Sequence, residues 1–470
     1  MKHLLTLIRL TCILIVSPSF GQYTTLYDFQ GFQDGEHPMG DLFYDGSYLY
    51  GMTYYGGSLT NDKGTIFKIL PDGTNYTQIH AFDYVNGSYP EGSLISDGTF
   101  LYGVTSRGGN SDNGTIFKIL PDGSGYTDFF NFTGGGGTGN EPIGDLLYDG
   151  TFLYGTTSMG GAANGGTIFR IMPDGMGYLK LYDFDAPNDG WTPRSSLISD
   201  GIYLYGMTKG GGIFGSGTIF KILPDGTGYQ KLFDFDGMTN GYYPQGSLVS
   251  DGTFLYGMTT STGIYNHSGT IFKILTNGTG YQNIFDFDAP SQVGNLTGNY
   301  PMGSLMYDGT FLYGMTADGG DINDDGTVFK ILPDGTGFTK LWDFSGGFTE
   351  GGEPYGSLIS DGTFLYGMTY WDGSGNLGVV FKLDMTASID DVDLESKINI
   401  SPNPTNGQII LIASSNSEQD ITITNSIGKI IFEEEFNISA GSPIKIDLSD
   451  QPAGIYYLIC NDLIEKVIKH

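Results

Sequence analysis

One phrase of about fifty residues is written seven times in this chain, and its closing line is absent from the seventh copy but present before the first. The phrase runs P-x-G-S-L, then D-G-T-F-L-Y-G-M-T, a variable glycine-rich stretch, G-T-I-F-K-I-L-P-D-G, and an L-x-D-F ending. Its prolines are Pro38, Pro90, Pro142, Pro193, Pro244, Pro301 and Pro354, spaced by 52, 52, 51, 51, 57 and 53 residues. So regular a period marks a repeat architecture and constrains the fold before any single motif is weighed. The last copy stops at Phe381-Lys382-Leu383, and its missing line stands at Leu26-Tyr27-Asp28-Phe29. An open solenoid has no use for that displacement. A closed ring does, because the first strand completes the last repeat.

Each copy reads as four short strands: S-L-I-S, T-F-L-Y-G-M-T, T-I-F-K-I-L and Y-x-x-L-x-D-F. Asp-Gly separates the first two and Pro-Asp-Gly the last two, as at Asp97-Gly98 and Pro121-Asp122-Gly123; both are hairpin signals. The strands are apolar on both faces, which suits sheets stacked on neighbours at either side. The expected fold is therefore all-β: a seven-bladed β-propeller closed by its N-terminal strand, followed by a small C-terminal β-sandwich. Glycines recur mid-strand at Gly51, Gly103, Gly155, Gly206, Gly257, Gly314 and Gly367. At such positions they are expected to make room for the neighbouring blade.

The phrase L-Y-G-x-T, with Gly114-Thr115-Ile116-Phe117-Lys118 and Pro121-Asp122-Gly123, resembles the GloVer tandem repeat of exported bacterial proteins over residues 23–384. That resemblance implies an extracellular repeat protein and brings no defined activity with it.

Export is also written at the N-terminus. Lys2 and Arg9 flank an apolar run from Leu4 to Val16, with Ser19 and Gly21 before Gln22, which reads as a signal peptide over residues 1–21. That run is too short to span a membrane, and no later segment reaches the ~20 apolar residues a transmembrane helix needs. Cys460 is then the one cysteine left, so a packed core must replace disulfides. The net charge of −31 argues against nucleic acid or an anionic membrane as partner.

The period ends at residue 384. An acidic linker, residues 385–398, carries Asp390, Asp391, Asp393 and Glu395, and a different β module occupies residues 399–470. It opens with Pro402-Asn403-Pro404-Thr405-Asn406-Gly407 and turns at Gly428-Lys429. Further on it carries Leu448 ahead of Pro452-Ala453-Gly454-Ile455-Tyr456-Tyr457, and it ends on a basic stretch, Lys466 to Lys469. In that order these motifs resemble the type A C-terminal sorting domain of the type IX secretion system. The resemblance implies handling by the outer-membrane type IX machinery of a Gram-negative bacterium, then release or attachment at the cell surface.

Residues repeated in every blade point to structure, since an active site is needed once. One such set is Lys68, Lys118, Arg170, Lys221, Lys273, Lys330 and Lys382, expected to pair with carboxylates of the same or next blade. Another is Asp45, Asp97, Asp149, Asp200, Asp251, Asp308 and Asp361, expected to build the Asp-Gly turns. Function belongs where the copies differ. Strand alternation puts the two uniform turns on one face and the two variable connections on the other, where long loops on a rigid scaffold can bind. The ligand-binding candidates are Tyr54, Arg107, Tyr265, His267, Asp318, Tyr370, Trp371 and Asp372 in one set of loops. Glu91, Arg194 and Tyr355 join them, directly after their prolines near the channel mouth. Aromatics beside carboxylates suit a glycan, whose apolar faces stack while its hydroxyls hydrogen-bond; the same rings can equally pack loops.

Asp321-Ile322-Asn323-Asp324-Asp325-Gly326 matches the start of a calcium loop, with Asp321, Asn323 and Asp325 as ligands, but Leu332 stands where its bidentate Glu belongs. A plain Asx-rich turn accounts for it as well, and no other cofactor is indicated. No HExxH, G-x-S-x-G or P-loop signature occurs. The expected role is recognition of a glycan or surface partner. The alternatives are a polysaccharide hydrolase or lyase, whose carboxylates would come from different blades, and a structural or adhesion protein.

Overall fold

The computed structural model describes residues 23–385 apart from 59–60, 186–187, 263–267, 288–296, 321–322 and 349. It also describes 398–469 apart from 402–407, 414–416, 426–428, 439–442, 453 and 461–462. The signal peptide and most of the acidic linker lie outside these residues. Two compact units divide near residue 390.

In the first unit, seven four-stranded antiparallel sheets follow one another, as the repeat requires. The second blade is typical: Ile95–Ser96, Leu101–Thr105, Thr115–Ile119 and Thr127–Asn131, from the axis outward. The innermost strand is only two residues long in each blade, because the P-x-G-S-L segment ahead of it bonds to the neighbouring blades around the axis. Blade seven takes its outermost strand from Thr24–Asp28, which pairs with Val379–Asp384 in the register Thr24↔Lys382, Thr25↔Phe381, Tyr27↔Val380 and Asp28↔Val379. The displaced L-x-D-F line therefore closes the ring.

That line works through a bulge. In every blade the register slips by one residue where the L-x-D-F strand meets T-I-F-K-I, as between Thr25 and Tyr27. Residues three apart in a regular strand face opposite ways; the extra residue turns Leu and Phe toward the same side. Leu26 and Phe29 thus both enter one cluster with Leu42, Leu49 and Phe67 of blade one and Tyr366, Met368 and Val380 of blade seven. Six further clusters sit in the same way between neighbouring blades, so the core is a ring of interfaces rather than one centre.

Two expectations are corrected here. A Cβ on Gly51 would lie 2.5 Å from Phe67 Cζ and 3.0 Å from Leu42 Cδ2, and one on Gly103 would lie 2.6 Å from Phe117 Cζ. The mid-strand glycine thus makes room for its own blade's phenylalanine, whose ring must lie flat across the paired strand to reach the interface. Among the described residues the repeated basic residues form no ion pair with a carboxylate. Lys68, Lys118 and Arg170 donate to the carbonyls of Pro121, Pro173 and Pro224 in the next blade at 2.9–3.0 Å. Each lies over a ring of its own blade, Tyr48, Phe100 and Phe152, at 4.5–5.1 Å. The repeated aspartates do build their turns: Asp97 Oδ1 accepts the N–H groups of Thr99 and Phe100, and Oδ2 accepts the Tyr102 hydroxyl at 2.8 Å.

Among its described residues the second unit holds seven strands in a three-stranded and a four-stranded sheet. Two of its sequence motifs meet: the Tyr456 hydroxyl donates to Pro452 O at 2.6 Å, and buried Lys469 of the basic end donates to Ser449 O at 2.9 Å and to Gln451 O.

Candidate channel-mouth site

The axis is sealed by one polar ring. The residue two places after each post-proline position accepts the backbone N–H of the preceding blade: Asp41 N to Ser93 Oγ, Ser93 N to Asp145 Oδ1, Asp145 N to Ser196 Oγ, and onward through Ser247, Ser304 and Ser357. Ser357 N donates to Asp41 Oδ1 and closes the circuit, all seven bonds measuring 2.5–2.8 Å. A Cβ on Gly40 would sit 2.2 Å from Gly92 O, so glycine is required where the blades crowd together. Burial pushes the carboxyl groups of Asp41 and Asp145 up, and at Asp41 repulsion from Asp145 adds to it.

Above this ring a cavity of about 100 Å³ is lined by Met39, Glu91, Ile143, Arg194, Gln245, Met302 and Tyr355, one from each blade directly after its proline. Two more rings of seven residues surround them. The residues before the prolines, His37, Tyr89, Glu141, Thr192, Tyr243, Tyr300 and Glu353, all have left-handed backbones with φ between 51° and 59°. Side chains with a Cβ rarely adopt this region, at a cost of about 1–2 kcal/mol each. Hydrogen bonds hold them there. The carbonyl of each accepts from the residue after the strand-ending threonine of its own blade: Tyr54, Ser106, Ser158, Lys209, Thr260, Ala317 and Tyr370, at 2.9–3.4 Å. The N–H groups of His37, Tyr89, Glu141, Thr192, Tyr243 and Glu353 donate to the preceding blade, as Tyr89 does to Lys63 O at 2.8 Å.

This construction aligns rings across blades. Tyr370 stacks on His37 of blade one at 4.7 Å and on Tyr355 at 4.7 Å, while Tyr54 stacks on Tyr89 of blade two at 5.0 Å. Trp371 stands edge-on to His37 at 4.4 Å and to Tyr370 at 5.0 Å, bracing that column. Carboxylates sit among the rings. Tyr355 donates to Glu353 Oε2 at 2.7 Å. Glu91 is pushed up by burial despite the opposing charge of Arg194, whose nearest nitrogen is 3.9 Å away. Burial, then Asp324 and Glu353, push Asp318 up to about 7. Tyr54 rises to about 12, through burial first and then the charge of Glu91.

Of the residues singled out in the sequence, Tyr54, Glu91, Arg194, Tyr355 and Tyr370 come together here, with Asp318 beside Glu353 and Trp371 in support. Arg107 is ion-paired with Glu141 at the rim. Asp372 faces Asp325 and accepts a hydrogen bond from Gly347. Tyr265, His267 and Asp321 lie outside the described residues. Within the calcium-like loop, Asn323 Nδ2 donates to Ser345 O at 2.5 Å and Asp325 is pushed up to about 6 by burial and by Asp372. Among the described residues no cluster of three or more metal-ligating side chains forms. Glu353, Tyr89, Glu141 and Lys209 escaped the sequence reading. Their signal was position alone, one place before each proline or one after each Met-Thr.

Fold and tail together define an exported seven-bladed β-propeller carried out by a secretion-system sorting domain. The chain belongs to the Gloeobacter/Verrucomicrobia repeat family, matched over residues 11–152 and 135–324, and residues 399–470 match the secretion system C-terminal sorting domain. It is thus handled by the type IX secretion system and is secreted or displayed at the surface of a Bacteroidetes-type bacterium. No curated protein matches it in sequence. Among solved structures it is similar to an oligogalacturonate lyase from Vibrio parahaemolyticus (10% identity, 78% of this chain and 94% of that one, TM-score 0.46). It is also similar to a Mycobacterium tuberculosis puromycin-hydrolyzing peptidase (12%, 84% and 61%, 0.46) and to TolB from Acinetobacter baumannii (11%, 73% and 81%, 0.34). Similarity at this level concerns architecture alone.

Proposed function

We propose that this exported propeller is a recognition module that binds a saccharide at the loop-face mouth of its channel. The observation that carries the reading is the pair of aromatic stacks, Tyr355–Tyr370–His37 and Tyr54–Tyr89, set among Glu91, Glu353 and Asp318. Ring faces stack on the apolar faces of sugars, carboxylates accept from hydroxyls, and Asp318, raised to about 7, can donate as well as accept near neutral pH. The exported protein screened on a glycan array, with and without calcium, is expected to retain a ligand whose affinity falls by about 1–3 kcal/mol in Tyr370→Ala. Full binding by Tyr370→Ala together with lost thermal stability would reduce the stack to packing.

A second reading rests on Glu91 alone. A carboxyl group raised by burial at the mouth of a cavity is suited to act as a general acid in saccharide cleavage. Release of new reducing ends from a bound polysaccharide, lost in Glu91→Gln, would establish cleavage; binding without turnover would leave recognition as the function.

A further inference from the structure

The channel mouth is chemically lopsided. Blade seven presents Tyr355 and Tyr370; blade four presents Arg194 and Lys209 at the same two places of the repeat, after Pro193 and after Thr208. In blade seven these places bring two rings into a stack 4.7 Å apart. Lys209 N–H donates to Thr192 O at 3.1 Å, as Tyr370 N–H does to Glu353 O at 3.1 Å, so the same frame sets a guanidinium beside an ammonium. Tyr355 and Arg194 line one cavity, on opposite sides of the sevenfold ring.

Neither cation is held by a close carboxylate. The Arg194 contact with Glu91, at 3.9 Å, is too long for a hydrogen bond, and Arg194 Nε is buried with no hydrogen-bond partner. Lys209 Nζ lies 5.7 Å from the Tyr243 ring centre and makes no ion pair among the described residues. Burial, with the Arg194 charge adding to it, pulls the Lys209 ammonium below its ordinary range. The other charged groups nearby do not resolve this. Glu141 is engaged by Arg107, and Glu91 is itself raised by burial. The chain has 21 basic residues against 52 acidic ones, so carboxylates to pair with are abundant. Two adjacent cations that share one loosely placed carboxylate, Glu91, repel each other at the mouth of the channel, and an incoming anion offsets that repulsion.

We infer that the saccharide bound here is acidic, its anionic group seated between Arg194 and Lys209 while its sugar faces lie against Tyr355 and Tyr370. The inference rests on the saccharide reading above and adds the charge of the ligand to it. The shared chemistry is an oxyanion on a sugar, either the carboxylate of a uronate or a sulfate ester.

The test is calorimetric titration of the whole exported protein with alginate-derived oligouronates, the same oligomers after carboxyl reduction to neutral sugars, and sulfated dextran oligosaccharides. An anionic oligomer is expected to bind at least about tenfold more tightly than the reduced one, with affinity falling as salt rises. Arg194→Gln and Lys209→Gln should each remove most of that preference, and Lys209→Arg should keep it. Whichever anionic oligomer binds more tightly identifies the oxyanion. Equal binding of acidic and reduced oligomers would overturn the inference and leave the saccharide reading standing. Preference for the acidic oligomers that survives both Gln variants would also overturn it, by placing the anion elsewhere. Retention of no acidic or neutral sugar, here or on the array, would defeat both. A thermal melt of each variant separates lost charge from lost fold.

Discussion

Asp41 and Asp145 stand where the other five blades have serine, and the difference is one of charge rather than geometry, since both residue types accept the same axial hydrogen bond. A carboxyl raised in the folded protein above its unfolded value of about 3.9 costs nothing while protonated in both states. Its penalty grows as pH rises from there through the folded value, so stability is lost on the alkaline side. Asp41→Ser is therefore expected to leave the melting temperature unchanged near pH 4 and to raise it increasingly toward pH 8, as read by scanning calorimetry. A lower melting temperature at pH 8 would mean that the carboxylate is held by more than its hydrogen bond. The repeated lysines make a second prediction at this scale. Lys118 joins two blades through Pro173 O at 3.0 Å and lies over Phe100 at 5.1 Å. Lys118→Met keeps the apolar stem and loses both contacts, for an expected cost of about 1–2 kcal/mol in urea unfolding. Had the lysine paired with a carboxylate, high salt would erase much of its contribution; a bond to a part-buried carbonyl is screened less.

The closing strand is the element on which the ring depends. It supplies a sheet edge and two buried side chains, Leu26 and Phe29, to the interface of blades seven and one. Phe29→Ala should cost about 3–5 kcal/mol, the range for removing a buried aromatic, and Phe82→Ala at the equivalent place of blade one should cost as much. Loss of the whole strand has a further consequence that truncating one ring does not. Without residues 23–29 the third strand of blade seven becomes an unpaired edge, and concentration-dependent aggregation in light scattering is expected. A monomeric, fully folded deletion protein would show that the ring closes without it. The bulge explains why an apolar residue recurs at the first and last places of L-x-D-F, as Ile79 and Phe82 or Phe129 and Phe132: the first is the extra, unpaired residue, which lets both face the same side.

At the scale of the molecule, the chain divides near residue 390 into two compact units, and the propeller's hydrophobic clusters run between neighbouring blades. A chain ending at residue 385 is expected to melt cooperatively at the temperature of the propeller in the full chain, yet to stay inside a host that exports the full chain. Failure to fold would make the tail part of the propeller's stability; appearance in the medium would remove the tail's role in sorting. The loop face carries the difference between blades because its two connections are tied at a short backbone bridge, as Ser88 to Arg107, and vary beyond it, whereas the opposite turns are fixed by Asp-Gly and Pro-Asp-Gly chemistry.

The period, the displaced L-x-D-F and the turn residues determined the fold by themselves, because strand pairing and hairpin geometry are local and each repeat states them again. The same local grammar placed Tyr54, Glu91, Arg194, Tyr355 and Tyr370 on one face. Three things it left open. Lys68 and its equivalents needed a partner from another blade, and only the packed ring shows that partner to be a carbonyl about fifty residues away. The rings of Tyr370 and His37 meet across the closure of the propeller, 333 positions apart, where no sequence window reaches. Arg194 beside Lys209 reads as two scattered cations in the chain. They become a pair of neighbours, with Glu91 the carboxylate near Arg194 at 3.9 Å, only in the folded ring, because electrostatics depends on distance in space and the sequence records only order.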